Sequence, residues 1–505
     1  MTPLFLGIDV GTFETKGVLV DEAGVVRART SRRHTISTPQ ETHVEHDADE
    51  VWWADACFVS RELMSSDAAQ DATIAAMACS AIGPCVLPVD ENLRPLRPGI
   101  LYGIDARSAS QIAALNSRLG EDAILARSGN ALTSQSAGPK IAWVAENEPE
   151  IAERTRWYLT SQSYIVAKLT NRVTIDHGTA GYFHPLYDLA HQEWNIAGCD
   201  DFVSIDQLPE LLWATDIAGT VTEEASAQTG VPVGVPVIVG TTDSPAEAVG
   251  AAVVNAGDLM VQYGSAGYMI NVLDAPHVDG NLWSAPFVFP GSFVLAAGTA
   301  TAGTVTRWIA EILHLDASHG DDKLFGDLIA LAGQSPVGAN GVLMVPHLSG
   351  ERTPVQDPQS RGIIFGLSLA HSRADIARAA IEGIAHSISH AFSAYATAGI
   401  ATTAVTAIGG GTKNSILVES VSAITGQPQL VTNSDGASFG DAALAAFAVG
   451  AISSRTEIKK WVQAVRTVEP RRDAMARLRA DHADYKELYA RTAELAHRRS
   501  GADRA

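Results

Sequence analysis

The stretch Leu4-Phe5-Leu6-Gly7-Ile8-Asp9-Val10-Gly11-Thr12-Phe13-Glu14-Thr15-Lys16-Gly17-Val18-Leu19-Val20 decides how this chain is read. Two apolar runs, Leu4 to Asp9 and Thr15 to Val20, flank a short glycine-bearing loop, which predicts strand, turn, strand. A third strand is expected after the turn at Gly24. Gly11 lets backbone come close to a ligand, and Thr12 adds a hydroxyl and an amide N–H, so the loop can cradle a phosphate. Asp9, at the end of the first strand, suits Mg²⁺ because a hard cation takes oxygen ligands, and Lys16 can reach a phosphate oxygen. An ordinary tight hairpin with a surface lysine is the competing reading.

Working outward, the same device recurs. Asp258-Leu259-Met260-Val261-Gln262-Tyr263 runs into Gly264-Ser265-Ala266-Gly267 and out through Tyr268-Met269-Ile270-Asn271. Two hairpins tipped with small residues suggest two related domains, each with a loop whose N–H groups can face anionic oxygens. Pro232-Val233-Gly234-Val235-Pro236 is the clearest break before the second hairpin, and the domains are expected at 1–246 and 247–505. Helices are expected over 49–64, over 139–153 and from about Arg373 to Ala398, where Ile376, Ala379, Ala380, Ile384 and Ile388 form an apolar face. The charged segment from Ser454 is expected to form surface helices.

Asp243 is the strongest candidate for a catalytic base. It follows the apolar run Val235 to Val239 and Gly240-Thr241-Thr242, and precedes Ser244-Pro245-Ala246-Glu247, which has the signature of a capped helix start with Ser244 as the cap. A carboxylate at a helix N-terminus is held ionised by the helix dipole, which suits a group that takes a proton from an attacking hydroxyl. Asp243 as a plain cap is the alternative. Further on, Ala404 to Ile408 reads as a buried strand entering Gly409-Gly410-Gly411-Thr412-Lys413-Asn414. There a flat ligand can lie on Gly410 and Gly411, and Asn414 can bond the polar edge of a nucleoside. Gly440 to Ala446 reads as a close-packing helix of small residues.

Composition removes several classes. The 505 residues are 46% hydrophobic and 18% charged, which is enough for a large core, and a net charge of −21 disfavours nucleic acid and anionic membranes as partners. Four scattered cysteines without a CxxC pair read as reduced thiols. No secretory leader and no bilayer-length apolar run is seen, so a cytoplasmic enzyme is expected. His386 and His390 share a helix face but complete no zincin motif, and GxSxG, Walker A and GxGxxG patterns are absent.

In order along the chain, these pieces resemble the FGGY carbohydrate kinases of the actin, hexokinase and heat-shock ATPase superfamily. Gly7-Ile8-Asp9-Val10-Gly11-Thr12 with Lys16 is similar to the first phosphate motif, Gly264 to Gly267 to the second, and Gly409 to Asn414 to the adenosine motif. Asp243 falls at the place of the family's base. Three more stretches, Leu93 to Leu101, Ser349 to Pro354 and Arg361 to Leu367, are similar to family blocks. The resemblance implies an α/β fold of two ribonuclease-H-like domains flanking a deep catalytic cleft, with sugar held mainly by the first domain and ATP by the second. It places Gly303 and Arg307 beside the nucleotide and implies Mg²⁺ at Asp9 and Asp243, and a homodimer. The sugar site departs from relatives: Ala81-Ile82-Gly83-Pro84-Cys85 stands where xylulose kinases carry Met-His-Gly, and Tyr102-Gly103-Ile104-Asp105 where Trp-Asn-Asp is usual. Cys85, Tyr102, Asp105 and Gln135 are the candidate sugar contacts. The expected reaction moves the γ-phosphoryl of ATP to a small sugar or polyol, with a ketopentose of the xylulose or ribulose type first. Tetritols, glycerol or a deoxyketose remain alternatives, as does an actin-like ATPase acting on a protein.

Overall fold

The computed structural model describes residues 2–318, 320–433 and 435–502, which fold as two compact units, each built on its own sheet. The first unit takes Met1–Ala256, Val272–Leu295 and Ser434–Val462; the second takes Gly257–Asn271, Ala296–Asn433 and Gln463–Ala505.

In the first unit, β1 (Thr2–Val10), β2 (Glu14–Asp21) and β3 (Val26–Arg33) form the expected antiparallel meander, with Asp9 opposite Lys16. β1 is buried from Leu4 onward, which explains its near-continuous apolar run: a central strand is covered on both faces. On its other side lies the parallel strand β4 (Ala72–Ala81), and β5 (Ile217–Thr220) and β6 (Pro236–Ile238) complete the order β5-β6-β4-β1-β2-β3. The short β7 (Thr241–Thr242) also pairs with β4. The register sets Asp9 beside Ser80, and Ser80 beside Thr241, so three polar residues stand in a row across the sheet.

Two helices lock this row. The helix Asp243–Gly250 leaves β7, and the helix Ala437–Ala448 lies against β1. A Cβ on Gly7 would sit 1.8 Å from the Ser438 carbonyl oxygen, and one on Gly440 would sit 1.8 Å from that of Ala246. Both glycines therefore allow backbone to approach at a distance that no side chain permits.

In the second unit, β8 (Asp258–Tyr263) and β9 (Gly267–Leu273) form the second expected hairpin. β8 pairs in parallel with β10 (Ala404–Ile408), β10 with β11 (Gln429–Thr432), and β11 antiparallel with β12 (Ala464–Val468). The helix Arg373–Thr397 begins with a reciprocal Ser372–Asp375 capping box and matches the expected span. The charged C-terminal segment departs from expectation: residues 464–468 form an edge strand before the single long helix Arg472–Ala502. Four of those five strand residues are exposed, and an edge strand that faces water carries no apolar alternation to read. No helix among the described residues is long and apolar enough to cross a membrane.

Candidate active site

The first unit gathers an acidic centre. Asp9 is only 7% exposed, and its Oδ1 has no hydrogen-bond partner. Burial first, and then the Asp243 carboxylate, push its pKa up to about 8, with Lys16 opposing. Burial also raises the Asp243 carboxyl, against hydrogen bonds from the Ser244 N–H (2.7 Å) and hydroxyl (3.2 Å) and the Lys16 charge. A third acid joins them. Asp441 is fully buried, and its Oδ2 accepts from the Ser80 N–H (3.1 Å) and hydroxyl (2.7 Å). Burial holds its carboxyl well above the usual range, and Asp9 and Asp243 add to the rise. Three acids in a dry setting resist ionising together unless a cation offsets their charge.

Asp243 occupies the first turn of its helix, but the start differs from the expected one. Thr242 takes the N-cap position and Asp243 is the first helical residue, so neither Ser244 nor Asp243 caps the helix. The cause lies in β7, whose pairing with β4 keeps Thr241 and Thr242 extended up to the helix. Thr241 is fixed in turn: its hydroxyl donates to Asp176 Oδ2 (3.0 Å), which also accepts the Thr179 N–H.

The first loop is braced from beneath. The Gly11 N–H donates to the Glu14 carbonyl (3.0 Å), and the Gly11 carbonyl meets His34 Nε2 (3.0 Å), whose Nδ1 meets Asp55 (2.8 Å). Thr12 Oγ1 lies 3.1 Å from the Tyr102 hydroxyl, which ties the loop to a candidate sugar residue. Lys16 is half exposed, with Glu14 3.9 Å away.

The four candidate sugar residues divide in two. Tyr102 and Gln135 are partly exposed, and Gln135 Oε1 accepts the Gly103 N–H (3.2 Å). A Cβ on Gly103 would lie 2.6 Å from the Gln135 amide, so Gly103 makes room for it. Cys85 and Asp105 are enclosed. Burial pushes the Cys85 thiol up to about 12, so it stays neutral. Asp105 accepts the Val44 N–H (2.6 Å) and pairs with Arg107 through both carboxylate oxygens. Beneath Tyr102, the buried Lys140 ammonium donates to the Leu101 (2.6 Å) and Tyr102 (2.8 Å) carbonyls.

The second unit presents loops shaped by backbone. The Gly264 carbonyl accepts the Gly303 N–H (3.0 Å), and the Ser265 carbonyl accepts the Ala302 N–H (2.8 Å), which fastens the hairpin tip to the start of the helix Gly303–Ile312. A Cβ on Gly303 would be 2.7 Å from the Gly264 oxygen, so this position needs glycine. Glu351, in one of the family-like blocks, braces the adjoining segment by accepting the Ala300 N–H (2.7 Å) and the Ser387 hydroxyl. Of the three glycines, Gly409 and Gly411 press on Tyr263, while Gly410 faces open space. Asn414 caps the helix Ser415–Thr425 through its Oδ1, which accepts the Leu417 N–H (3.2 Å), leaving its amide N–H₂ for another partner. Arg307 pairs at the surface with Asp321 and lies over the Phe325 ring.

Residues 4–250 match the model of the FGGY family of carbohydrate kinases, N-terminal domain, and residues 259–449 match that of its C-terminal domain. The chain belongs to the FGGY family of carbohydrate kinases. It is an ATP-dependent sugar kinase. The xylulose kinase of Escherichia coli (strain K12) is 29% identical over 94% of this chain and 98% of its own. A gluconokinase of Bacillus subtilis (strain 168) is 27% identical over 77% of this chain and 76% of its own. The crystal structure of xylulose kinase from Rhodospirillum rubrum superposes with a TM-score of 0.91 at 27% identity, covering 98% of this kinase and 100% of that chain. The mixed α/β fold with a sheet in each unit is thus that of the two-domain FGGY kinases.

Sequence reading passed over three residues that the structure brings to the site. Ser80 and Asp441 are 361 residues apart, so nothing local in the chain links them. Asp176 carried only a weak signal, an acid just before the short run His177-Gly178-Thr179-Ala180, whose helix it caps.

Proposed function

We propose that this kinase phosphorylates a ketopentose of the xylulose type, with Asp243 as the base and Mg²⁺ as the companion of ATP. The observation that carries the mechanism is the placement of Asp243 at a helix start, electrostatically coupled to Asp9 and Lys16. Its carboxylate takes the proton of the acceptor hydroxyl as that oxygen bonds to the γ-phosphorus. The bond from phosphorus to the β,γ-bridging oxygen breaks, and ADP leaves with the electron pair.

Asp9 fits a divalent cation, since one of its buried oxygens lacks any partner and the charge acting on it most strongly is another acid, Asp243. Among the described residues no three His, Cys, Asp or Glu side chains are set to hold a metal alone. Asp9 and Asp243 would therefore share Mg²⁺ with water and phosphate oxygens, as this ion prefers. When bound, Mg²⁺ neutralises phosphate charge that builds up in the transition state. Gly11, Thr12 and Lys16 contact phosphates in this reading. Gly264, Ser265, Gly303, Arg307, Gly410, Gly411 and Asn414 contact the nucleotide.

Tyr102 and Gln135 face the acceptor, and the enclosed Cys85 and Asp105 shape the site from behind. The family resemblance extends the reading to a cytoplasmic homodimer with 1–246 and 247–505 as its working halves. The substrate test is ADP release with ATP and Mg²⁺ across xylulose, ribulose, gluconate, glycerol and tetritols, with the product identified by mass. Strong turnover on xylulose alone is expected. Preferred turnover on gluconate or a polyol would replace the acceptor and leave the kinase intact.

A further inference from the structure

Asp441 is the single charged side chain in the helix Ala437–Ala448, whose other residues are small or apolar apart from Ser438. Packing does not require it, since the neighbouring alanines make the same helix. Its Oδ1 is buried with no hydrogen-bond partner, and the helix cannot move away, because Gly7 and Gly440 hold it in backbone contact with β1 and with the helix of Asp243. A buried, unpaired carboxylate oxygen is costly. Here the acids that act on it are Asp9 and Asp243, which worsens the cost. Asp9 has the same unpaired oxygen, and Ser80, which Asp441 grips, is the register neighbour of Asp9. Two buried acids with free oxygens and one shared support are what a hydrated cation would satisfy.

We propose that Asp441 is a third acid of the cation centre, holding Ser80 through one oxygen and, through the other, the water shell of a divalent cation bound by Asp9 and Asp243. This rests on the reading of Asp9 and Asp243 given above. A role confined to bracing Ser80 would need the hydrogen bonds alone; a role toward the cation needs the charge.

The test is Mn²⁺ binding to the full-length protein with ADP, read from the free Mn²⁺ signal in electron paramagnetic resonance. Asp441→Asn keeps an oxygen for both Ser80 bonds and removes the charge. It should weaken Mn²⁺ binding about tenfold or more, the usual effect of losing an outer-shell partner, with metal-free ADP binding unchanged. Ser80→Ala, which keeps the charge and drops the hydroxyl bond, should bind Mn²⁺ within about threefold of the parent, well inside that outer-shell range. Parental Mn²⁺ binding by Asp441→Asn, or a loss in Ser80→Ala as large as that expected for Asp441→Asn, would overturn the proposal. Asp9→Asn measured alongside separates the two ideas. If it alone weakens Mn²⁺ binding, Asp441 is only a brace; if neither variant does, the cation reading of Asp9 fails as well.

Discussion

In the first unit the proposed chemistry rests on side-chain charge: Asp9, Asp243 and Asp441 are electrostatically coupled, and Ser80 is in register with Asp9 and bonded to Asp441. In the second the loops rest on backbone shape, with Gly303 against Gly264 and Gly409 against Tyr263. The difference teaches that the two halves should fail in different ways. Neutral, same-shaped substitutions should silence the first unit while sparing its fold. Added methyl groups should damage the second while sparing the chemical step.

Asp243 apart, the largest effect is expected at Asp9. Asp9→Asn should lower kcat on the order of 100-fold, as metal-assisted charge stabilisation is lost, while the melting temperature without added metal holds or rises. A fall in melting temperature with kcat intact would break the contrast. Gly409→Ala comes next, because φ there is +91° and a Cβ would lie 2.7 Å from the Tyr263 oxygen. A stability loss of about 2 kcal/mol and a raised KM for ATP, with kcat within about twofold at saturating nucleotide, are expected from urea unfolding and steady-state kinetics.

The smallest effect concerns a neutral histidine cluster in the second unit. His386, His390 and His482 pack with Tyr485, and His347 Nε2 lies 2.8 Å from the Tyr485 hydroxyl. Burial lowers His386 to about 3 and His347, His390 and His482 to about 4. An unfolded histidine titrates near pH 6.5. The folded chain therefore binds fewer protons between about pH 6.5 and 4, and the stability these groups lend is lost as pH falls through that window. Thermal unfolding from pH 7 to 4.5 should show a falling midpoint that His386→Gln flattens in part; a flat profile in the parent would contradict it.

The first hairpin was legible because its strands are apolar on both sides of a glycine turn, and the second because it repeats that pattern. The helix start at Asp243 lies two residues before the expected one, with Thr242 rather than Ser244 as its cap. Ser244-Pro245 is a good cap signature, but a tertiary pairing, Thr241 with Ser80, keeps the preceding residues extended. Asp105 is a sugar candidate through the family resemblance alone, and what the sequence does not show is that its oxygens accept from Arg107 and the Val44 N–H. Asp441 was hidden in a run that reads as packing, and packing it is, with one acid whose partner comes from the far end of the chain.

The most direct test is Asp243→Asn, with xylulose-dependent ADP formation and nucleotide binding measured on the same sample. The account predicts a loss of sugar-dependent turnover on the order of 1,000-fold, within the range of general-base catalysis, with ADP bound as tightly as by the parent. Sugar-dependent turnover within a few fold of the parent would remove Asp243 as the base and with it the central role of the acidic centre.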